Sequence, residues 1–172
     1  MVGALFHHTI KTKLFHIGPV VAALALGGLV MICSDRLAAG RSSTRTLASL
    51  TRVEALVIGC AQCLALWPGM SRSMVTMVAA IWLGLPAVAA AEYSFLLALP
   101  TLGAATIFDV LHGGHDVVRQ IGGVSRALGF ATAVIVAAAA IQGLIRYLGR
   151  SGLAVFGWYR IGLAACVWMR VR

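Results

Sequence analysis

The chain has 172 residues, of which 60% are hydrophobic and only 11% are charged. A soluble domain carries about a quarter charged residues, so this composition excludes an ordinary soluble protein and predicts an all-α polytopic membrane protein, a single integral membrane domain over residues 1–172. The net charge of +9 does not indicate nucleic-acid binding, because most basic residues flank apolar segments, where they meet lipid headgroups.

Apolar segments alternate with polar breaks along the chain. Residues 1–16 form a partly polar connection, with a basic surface helix as the alternative, and show no cleavable signal peptide. A basic loop over residues 34–52 comes after the first span, and Pro100 should kink the second. The four predicted spans are Ile17–Cys33, Tyr93–Leu111, Ile121–Ile145 and Leu153–Met169. Basic residues divide equally between the two sides, so charge does not set the orientation.

The middle of the chain holds two apolar segments that are too short for ordinary spans. Val53–Trp67 ends at a Pro-Gly pair, and Met74–Leu83 ends at the break around Pro86. Broken helices at membrane depth occur where protein or a water-filled cavity surrounds them, and they often mark binding sites. We predict a re-entrant helix hairpin over residues 53–83, with a single kinked span as the alternative.

The turn of this hairpin has the residue types of an anion site. Arg72 is a permanently charged fork that matches phosphate oxygens, and Ser71 and Ser73 add hydroxyl donors. Gly69 allows close backbone approach, and a helix that starts here would add free N–H groups, with Thr76 one turn further. An ionisable group at membrane depth is a functional-site candidate.

A structural interpretation of the same residues is that Ser71 or Ser73 only caps a helix while Arg72 extends to the lipid headgroups. For a single serine or glycine this would be the better interpretation. The combination of arginine, two serines, Thr76 and Gly69 favours a phosphate site.

The hairpin and its surroundings resemble a known family, the undecaprenyl-diphosphatases (bacitracin-resistance proteins). Ile58–Ser73 is similar to the family's second signature, whose core is Pro-Gly-x-Ser-Arg-Ser. The segments Leu83–Leu85 and Ala89–Pro100 resemble the region of the family directly after that signature. Phe156–Leu163 resembles the family's C-terminal helix, and Ile10–Phe15 the approach to a mid-chain helix.

This resemblance implies a multi-pass hydrolase of the bacterial inner membrane that converts undecaprenyl diphosphate to undecaprenyl phosphate, recycling the carrier lipid for peptidoglycan synthesis and conferring bacitracin resistance. It implies Mg²⁺ or Ca²⁺ as the cofactor and an inverted-repeat fold, and it leaves a homodimer open. By position, Ser71, Arg72 and Ser73 would be catalytic, and Gly69 and Thr76 would join them in binding the diphosphate. Loss of Arg72 would be the most damaging, because it neutralises charge on the transferring phosphoryl group.

Two departures from the family pattern qualify this expectation. Met74 stands where members usually have glycine, which predicts a narrower or reshaped pocket. The chain also resembles only the C-terminal part of longer members, whose first part carries a glutamate-rich signature that supplies metal ligands and acid/base groups. No carboxylate here replaces that signature, so we assign no metal ligand and expect half of a catalytic site. A non-hydrolytic lipid-phosphate binder or transporter, or an unused site, is the alternative.

Cysteine and histidine pairs elsewhere give weaker signals. Cys60 and Cys63 have the spacing of a metal or redox pair but no second pair, so we expect small side chains buried in a helix. His112 and His115 flank two glycines, and we expect solvated loop residues rather than metal ligands.

Arg160 is a second charge inside an apolar segment. We expect it to pair with a carboxylate, either Glu92 or Asp109, and the alternative is that it helps to hold an anionic lipid.

Overall fold

The computed structural model describes residues 17–39, 44–114 and 122–171, which fold into helices without strands. The α-helices are α1 Ile17–Ala39, α2 Arg52–Ala61, α3 Arg72–Trp82, α4 Ala87–Asp109, α5 Gly123–Ser151 and α6 Ala154–Val171. A 3₁₀ helix, Leu47–Ser49, precedes α2; a 3₁₀ segment, Gln62–Leu66, extends α2; and a π-helical turn, Val110–Gly114, extends α4. The all-α prediction is confirmed, whereas the predictions for residues 1–16 and for His115 lie outside the described residues.

Three of these helices are long and apolar enough to cross a membrane, over Ile17–Ala38, Ala87–His112 and Gly123–Ser151. The protein is therefore a multi-pass membrane protein. The fourth predicted span forms α6, which has 18 residues and carries Arg160 and Arg170, but it is not among the three. The count of four spans and the inverted repeat stay predictions.

Helices α2 and α3 form the predicted hairpin. They have 10 and 11 residues, so at 1.5 Å per residue each is about 15–17 Å long, roughly half the hydrocarbon thickness of a bilayer. Arg45 connects their outer ends, because it forms a bidentate ion pair with Glu54 in the first turn of α2 and donates to the Leu83 carbonyl at the end of α3. The hairpin is confirmed, and its depth in the membrane stays a prediction.

The core of the described residues lies around α3. This helix is apolar on most of its circumference and buries the residues Met74, Val75, Thr76, Met77, Val78, Ala80 and Ile81. It packs against α1, α2 and α4, and α1 packs along α6. In contrast, α5 exposes most of its apolar surface, with Phe130 74% exposed. The short helix is therefore the most enclosed element, and the central turn leads directly into it.

The ion pair between Arg45 and Glu54 lies outside the long apolar helices and makes the hairpin sensitive to acid. The Arg45 guanidinium, together with hydrogen bonds from the Thr51 backbone and hydroxyl, holds the pKa of Glu54 at about 2. Because this pKa is depressed, ionised Glu54 stabilises the fold above about pH 4.5, and the contribution is lost as the pH falls towards about 2.

We predict that Glu54→Gln lowers the melting temperature of the detergent-solubilised protein by a few degrees near neutral pH. Glutamine retains the capping box that Glu54 forms with Thr51 but loses the charge that pairs with Arg45. Thermal unfolding of wild type and variant across the acid range measures the effect. The difference should shrink between about pH 4.5 and about pH 2, and a difference that does not change with pH contradicts the prediction.

Candidate functional site

The turn from Trp67 to Met70 determines where the candidate site begins. The Met70 N–H donates to the Trp67 carbonyl over 3.0 Å, and Gly69 has φ +94°, the backbone of a type II turn with proline and glycine at its centre. A Cβ on Gly69 would lie 2.7 Å from the Val20 carbonyl oxygen in α1. Glycine is thus required twice, for its positive φ and for its close contact with α1.

Helix α3 starts immediately after this turn, with Ser71 as its N-cap. The Ser71 hydroxyl accepts from the Met74 N–H over 3.4 Å, so the capping role is present. The same hydroxyl lies 3.1 Å from that of Ser73. Within the described residues the N–H groups of Arg72 and Ser73 have no hydrogen-bond acceptor, as is usual in the first turn of a helix. Capping and anion binding are therefore compatible at this end.

A cavity of about 290 Å³ opens beside the start of α3. It is lined by Gln62, Ser71, Arg72, Ser73, Thr76, Ser94, Phe95, Ala98 and Leu102. The Arg72 Nη1 donates to the Thr101 hydroxyl over 3.2 Å, which ties the guanidinium to α4. No carboxylate among the described residues pairs with Arg72. The cavity combines one uncompensated cation with several hydroxyl groups, a set that suits a phosphate.

Thr76 supports the wall of this cavity. Its side chain is only 1% exposed, and its hydroxyl donates back to the carbonyls of Arg72 or Ser73 at 3.1 Å. It also shares a 2.7 Å hydrogen bond with the Ser94 hydroxyl. Because the hydroxyl already has these partners, Thr76 positions the first turn of α3 and the Ser94 side chain against each other.

Arg160 lies behind the turn and does not have the partner that we predicted. Its Nη2 donates to the Gly69 carbonyl over 2.7 Å, and it forms no ion pair with Glu92 or Asp109. The predicted carboxylate pair is therefore wrong. The physical reason is that α6 packs along α1. This packing places Arg160 next to the Gly69 carbonyl and not beside Glu92 or Asp109.

Comparison with known proteins gives the family of this chain. Residues 1–166 match the model of the bacitracin resistance protein BacA family. The chain belongs to that family. A protein called undecaprenyl-diphosphatase from Sorangium cellulosum is 49% identical over 97% of the chain and 55% of its own length. The undecaprenyl-diphosphatase of Nitrosomonas europaea is 42% identical, and undecaprenyl-diphosphatase 2 of Rhodospirillum rubrum is 40% identical.

Coverage of the last two relatives is again uneven, at 97% of the chain but 60% of each relative. The chain thus spans a little more than half the length of the curated BacA relatives that it matches. What those relatives do as whole proteins is therefore a proposal for this chain.

Three residues of the site around Arg72 were not predicted from the sequence. Gln62 lines the cavity from the end of α2, Ser94 lines it from α4, and Thr101 of α4 holds the Arg72 guanidinium. Ser94 and Thr101 are seven residues apart, so they lie on one face of α4. Polar residues at this helical spacing in an otherwise apolar helix are the signal that would have found them.

Met74 does not narrow the cavity beside Arg72. Its side chain is buried, 3% exposed, and it borders two other cavities, one between α2, α3 and α1 and one beside Arg160. It is not among the residues lining the cavity of Arg72. The Met74 side chain leaves α3 on another side, and a reshaped pocket at the position of the usual glycine stays a prediction.

The cysteine pair is not buried as we predicted. Cys60 and Cys63 are free and exposed, whereas Ile58 is the buried residue of α2. At 100° per residue, Cys60 lies on nearly the opposite side of α2 from Ile58, which explains its exposure. His112 is exposed and hydrogen-bonded to the Phe108 carbonyl, at 2.9 Å.

The described residues do not form a site for a divalent cation. They contain no group of three or more histidine, cysteine or acidic side chains that could hold a metal. Two of the acidic side chains have structural partners, because Glu54 pairs with Arg45 and Asp35 accepts from the N–H groups of Leu153 and Ala154 at the start of α6. The Mg²⁺ or Ca²⁺ that the family resemblance implies has no ligand set in this part of the chain.

We predict that Gly69→Ala destabilises the fold by about 1–3 kcal/mol, the usual range for a side chain forced into a positive-φ conformation. The added Cβ also meets the Val20 carbonyl. Gly143→Ala is the matched control, because Gly143 is helical and has nothing within 4 Å of a new Cβ, so it should be neutral or stabilising. Melting temperatures in detergent give the comparison, and equal values for the two variants would contradict the role of the turn.

Proposed function

We propose that this chain binds the diphosphate group of a lipid at the start of α3 and takes part in hydrolysing undecaprenyl diphosphate to undecaprenyl phosphate and phosphate. One observation carries the proposal: an arginine without a carboxylate partner among the described residues shares a cavity with two serine hydroxyls at a helix N-terminus. The name of the relatives, undecaprenyl-diphosphatase, supports the substrate. It does not favour the alternative of a non-hydrolytic binder or transporter.

Arg72 is the proposed electrostatic group. A guanidinium offers two parallel N–H donors to phosphate oxygens, and its Thr101 hydrogen bond orients it before the ligand arrives. In the proposed hydrolysis, water attacks the terminal phosphorus and the anhydride P–O bond breaks, so that undecaprenyl phosphate leaves and the terminal phosphoryl group becomes inorganic phosphate. Arg72 would neutralise the charge on the transferring phosphoryl group, while Ser71 and Ser73 would donate to its oxygens.

The activation of water is not assigned to the described residues. Those that line the cavity include no carboxylate or imidazole, so the described residues contribute binding and charge neutralisation. Mg²⁺ or Ca²⁺ is part of the proposal by family resemblance, and the described residues offer no ligand set for it. Such an enzyme would act in the bacterial inner membrane, recycle the carrier lipid for the cell wall and confer bacitracin resistance.

We predict that Arg72→Ala lowers phosphate release from undecaprenyl diphosphate by about 100-fold or more, the usual loss when a positioned electrostatic donor is removed. Arg72→Lys should recover only part of the rate, because lysine keeps the charge but loses the planar fork. Release of inorganic phosphate by the purified protein in detergent with Mg²⁺ measures both variants.

The control is Arg126→Ala, which removes an equal charge from the exposed surface of α5 and should leave the rate unchanged. If wild type releases no more phosphate than Arg72→Ala, this polypeptide is not an enzyme by itself. If the affinity for the lipid diphosphate survives Arg72→Ala, the site assignment is wrong.

A further inference from the structure

Arg160 has a charge that the described residues leave without a counter-ion. Its only hydrogen bond there is to the Gly69 carbonyl, and its Nε is buried without any hydrogen-bond partner. No acidic residue of the described ranges pairs with it. Arg160 is half-buried, and a charge withdrawn from water is usually paired, so the missing partner points to a ligand.

The close approach of α1 and α6 holds this guanidinium in place. A Cβ on Gly28 would lie 2.7 Å from the Gly157 carbonyl, and a Cβ on Gly27 would lie 2.9 Å from the Arg160 Nη2. Only glycines allow the two backbones to come this close. The arginine is therefore fixed by backbone packing on one side and by the Gly69 carbonyl on the other.

A second cavity, of about 270 Å³, lies beside Arg160. It shares Ser71 and Ser73 with the cavity that contains Arg72. The two guanidinium groups thus border neighbouring cavities with the same pair of hydroxyls between them. The remaining lining of the second cavity is mostly apolar and consists of Met31, Met74, Met77, Leu144, Leu148, Phe156 and Tyr159.

We infer that Arg160, Ser71 and Ser73 form a second phosphate subsite, which takes the phosphate group attached to the lipid chain. A diphosphate has two charged groups, and the two cavities provide one guanidinium for each. The apolar walls of the second cavity suit the phosphate that carries the hydrocarbon, whereas the more polar cavity of Arg72 suits the terminal phosphate. This assignment rests on the proposed function and specifies which cation holds which phosphate.

The test uses two probes, a C15 isoprenyl diphosphate and the matching monophosphate, whose only phosphate is the one attached to the chain. Calorimetric titration of the detergent-solubilised protein in buffer free of divalent cations gives both affinities. Arg160→Gln should weaken the monophosphate about tenfold or more, as expected for a lost charge-assisted hydrogen bond. Arg72→Gln should weaken the diphosphate to a similar extent and leave the monophosphate within about twofold.

A second pair of variants separates ligand binding from support of the turn. Leu144 lines the cavity of Arg160, and Leu102 lines the cavity of Arg72. Leu144→Phe should fill the first cavity without removing the Arg160 hydrogen bond to Gly69, and Leu102→Phe should fill the second. We expect Leu144→Phe to weaken binding of both probes and Leu102→Phe to weaken binding of the diphosphate only. If Arg160→Gln does not fold, Leu144→Phe decides alone.

The outcomes distinguish failure of the second subsite from failure of the proposed function. If Leu144→Phe and any folded Arg160→Gln bind the monophosphate as tightly as wild type does, the second subsite is overturned and the proposed function is not affected. If Arg160→Gln weakens binding of the diphosphate but not of the monophosphate, the assignment of Arg160 to the chain-attached phosphate is overturned. The role of Arg160 is then to support the turn. Diphosphate affinity unchanged in Arg72→Gln, or absent in wild type, overturns the proposed function itself.

Discussion

The hydrogen bond from Arg160 to the Gly69 carbonyl is the contact on which the rest of the site depends. Non-helical backbone inside an apolar environment leaves polar groups that no water can satisfy. The guanidinium satisfies one of them, at 2.7 Å, while the glycine backbone fits against Val20 of α1. Together these contacts set the position of the turn, and the turn sets where α3 starts and hence where Ser71 and Ser73 lie.

The short helix α3 carries the polar groups of the site, whereas the long helices α4 and α5 expose apolar surface. Helix α3 is the most enclosed element, and its first turn carries the charged and hydroxyl groups of the site. The long helices α4 and α5 present much of their apolar surface outward, as the exposed Leu99 and Phe130 show. Helix α4 also contributes Ser94 to the cavity lining and Thr101 as the acceptor of the Arg72 hydrogen bond. A broken pair of short helices thus allows a polar site to form inside an otherwise apolar protein.

Several features of the hairpin could be predicted from local sequence because they depend on backbone chemistry. Proline and glycine predicted the break after Trp67, and the positive φ of Gly69 and Gly84 is found at the two predicted breaks. The capping box of Thr51 and Glu54 is an equally local signal that we did not use. Distances between helices are not local, and this is why the predicted partner of Arg160 was wrong: two carboxylates were available in sequence, but α6 packs beside α1.

The sequence by itself determined the membrane class, the helical segments, the residue types of the phosphate-like turn and the family resemblance, because composition, periodicity and turn chemistry are properties of neighbouring residues. Only the tertiary structure decided which distant residues join that turn. Ser94 and Thr101 reach it from α4, and Arg160 reaches it from α6, some ninety positions along the chain. Helix packing brings them together, and glycine contacts such as that of Gly28 with Gly157 depend on two backbones whose separation no single segment specifies.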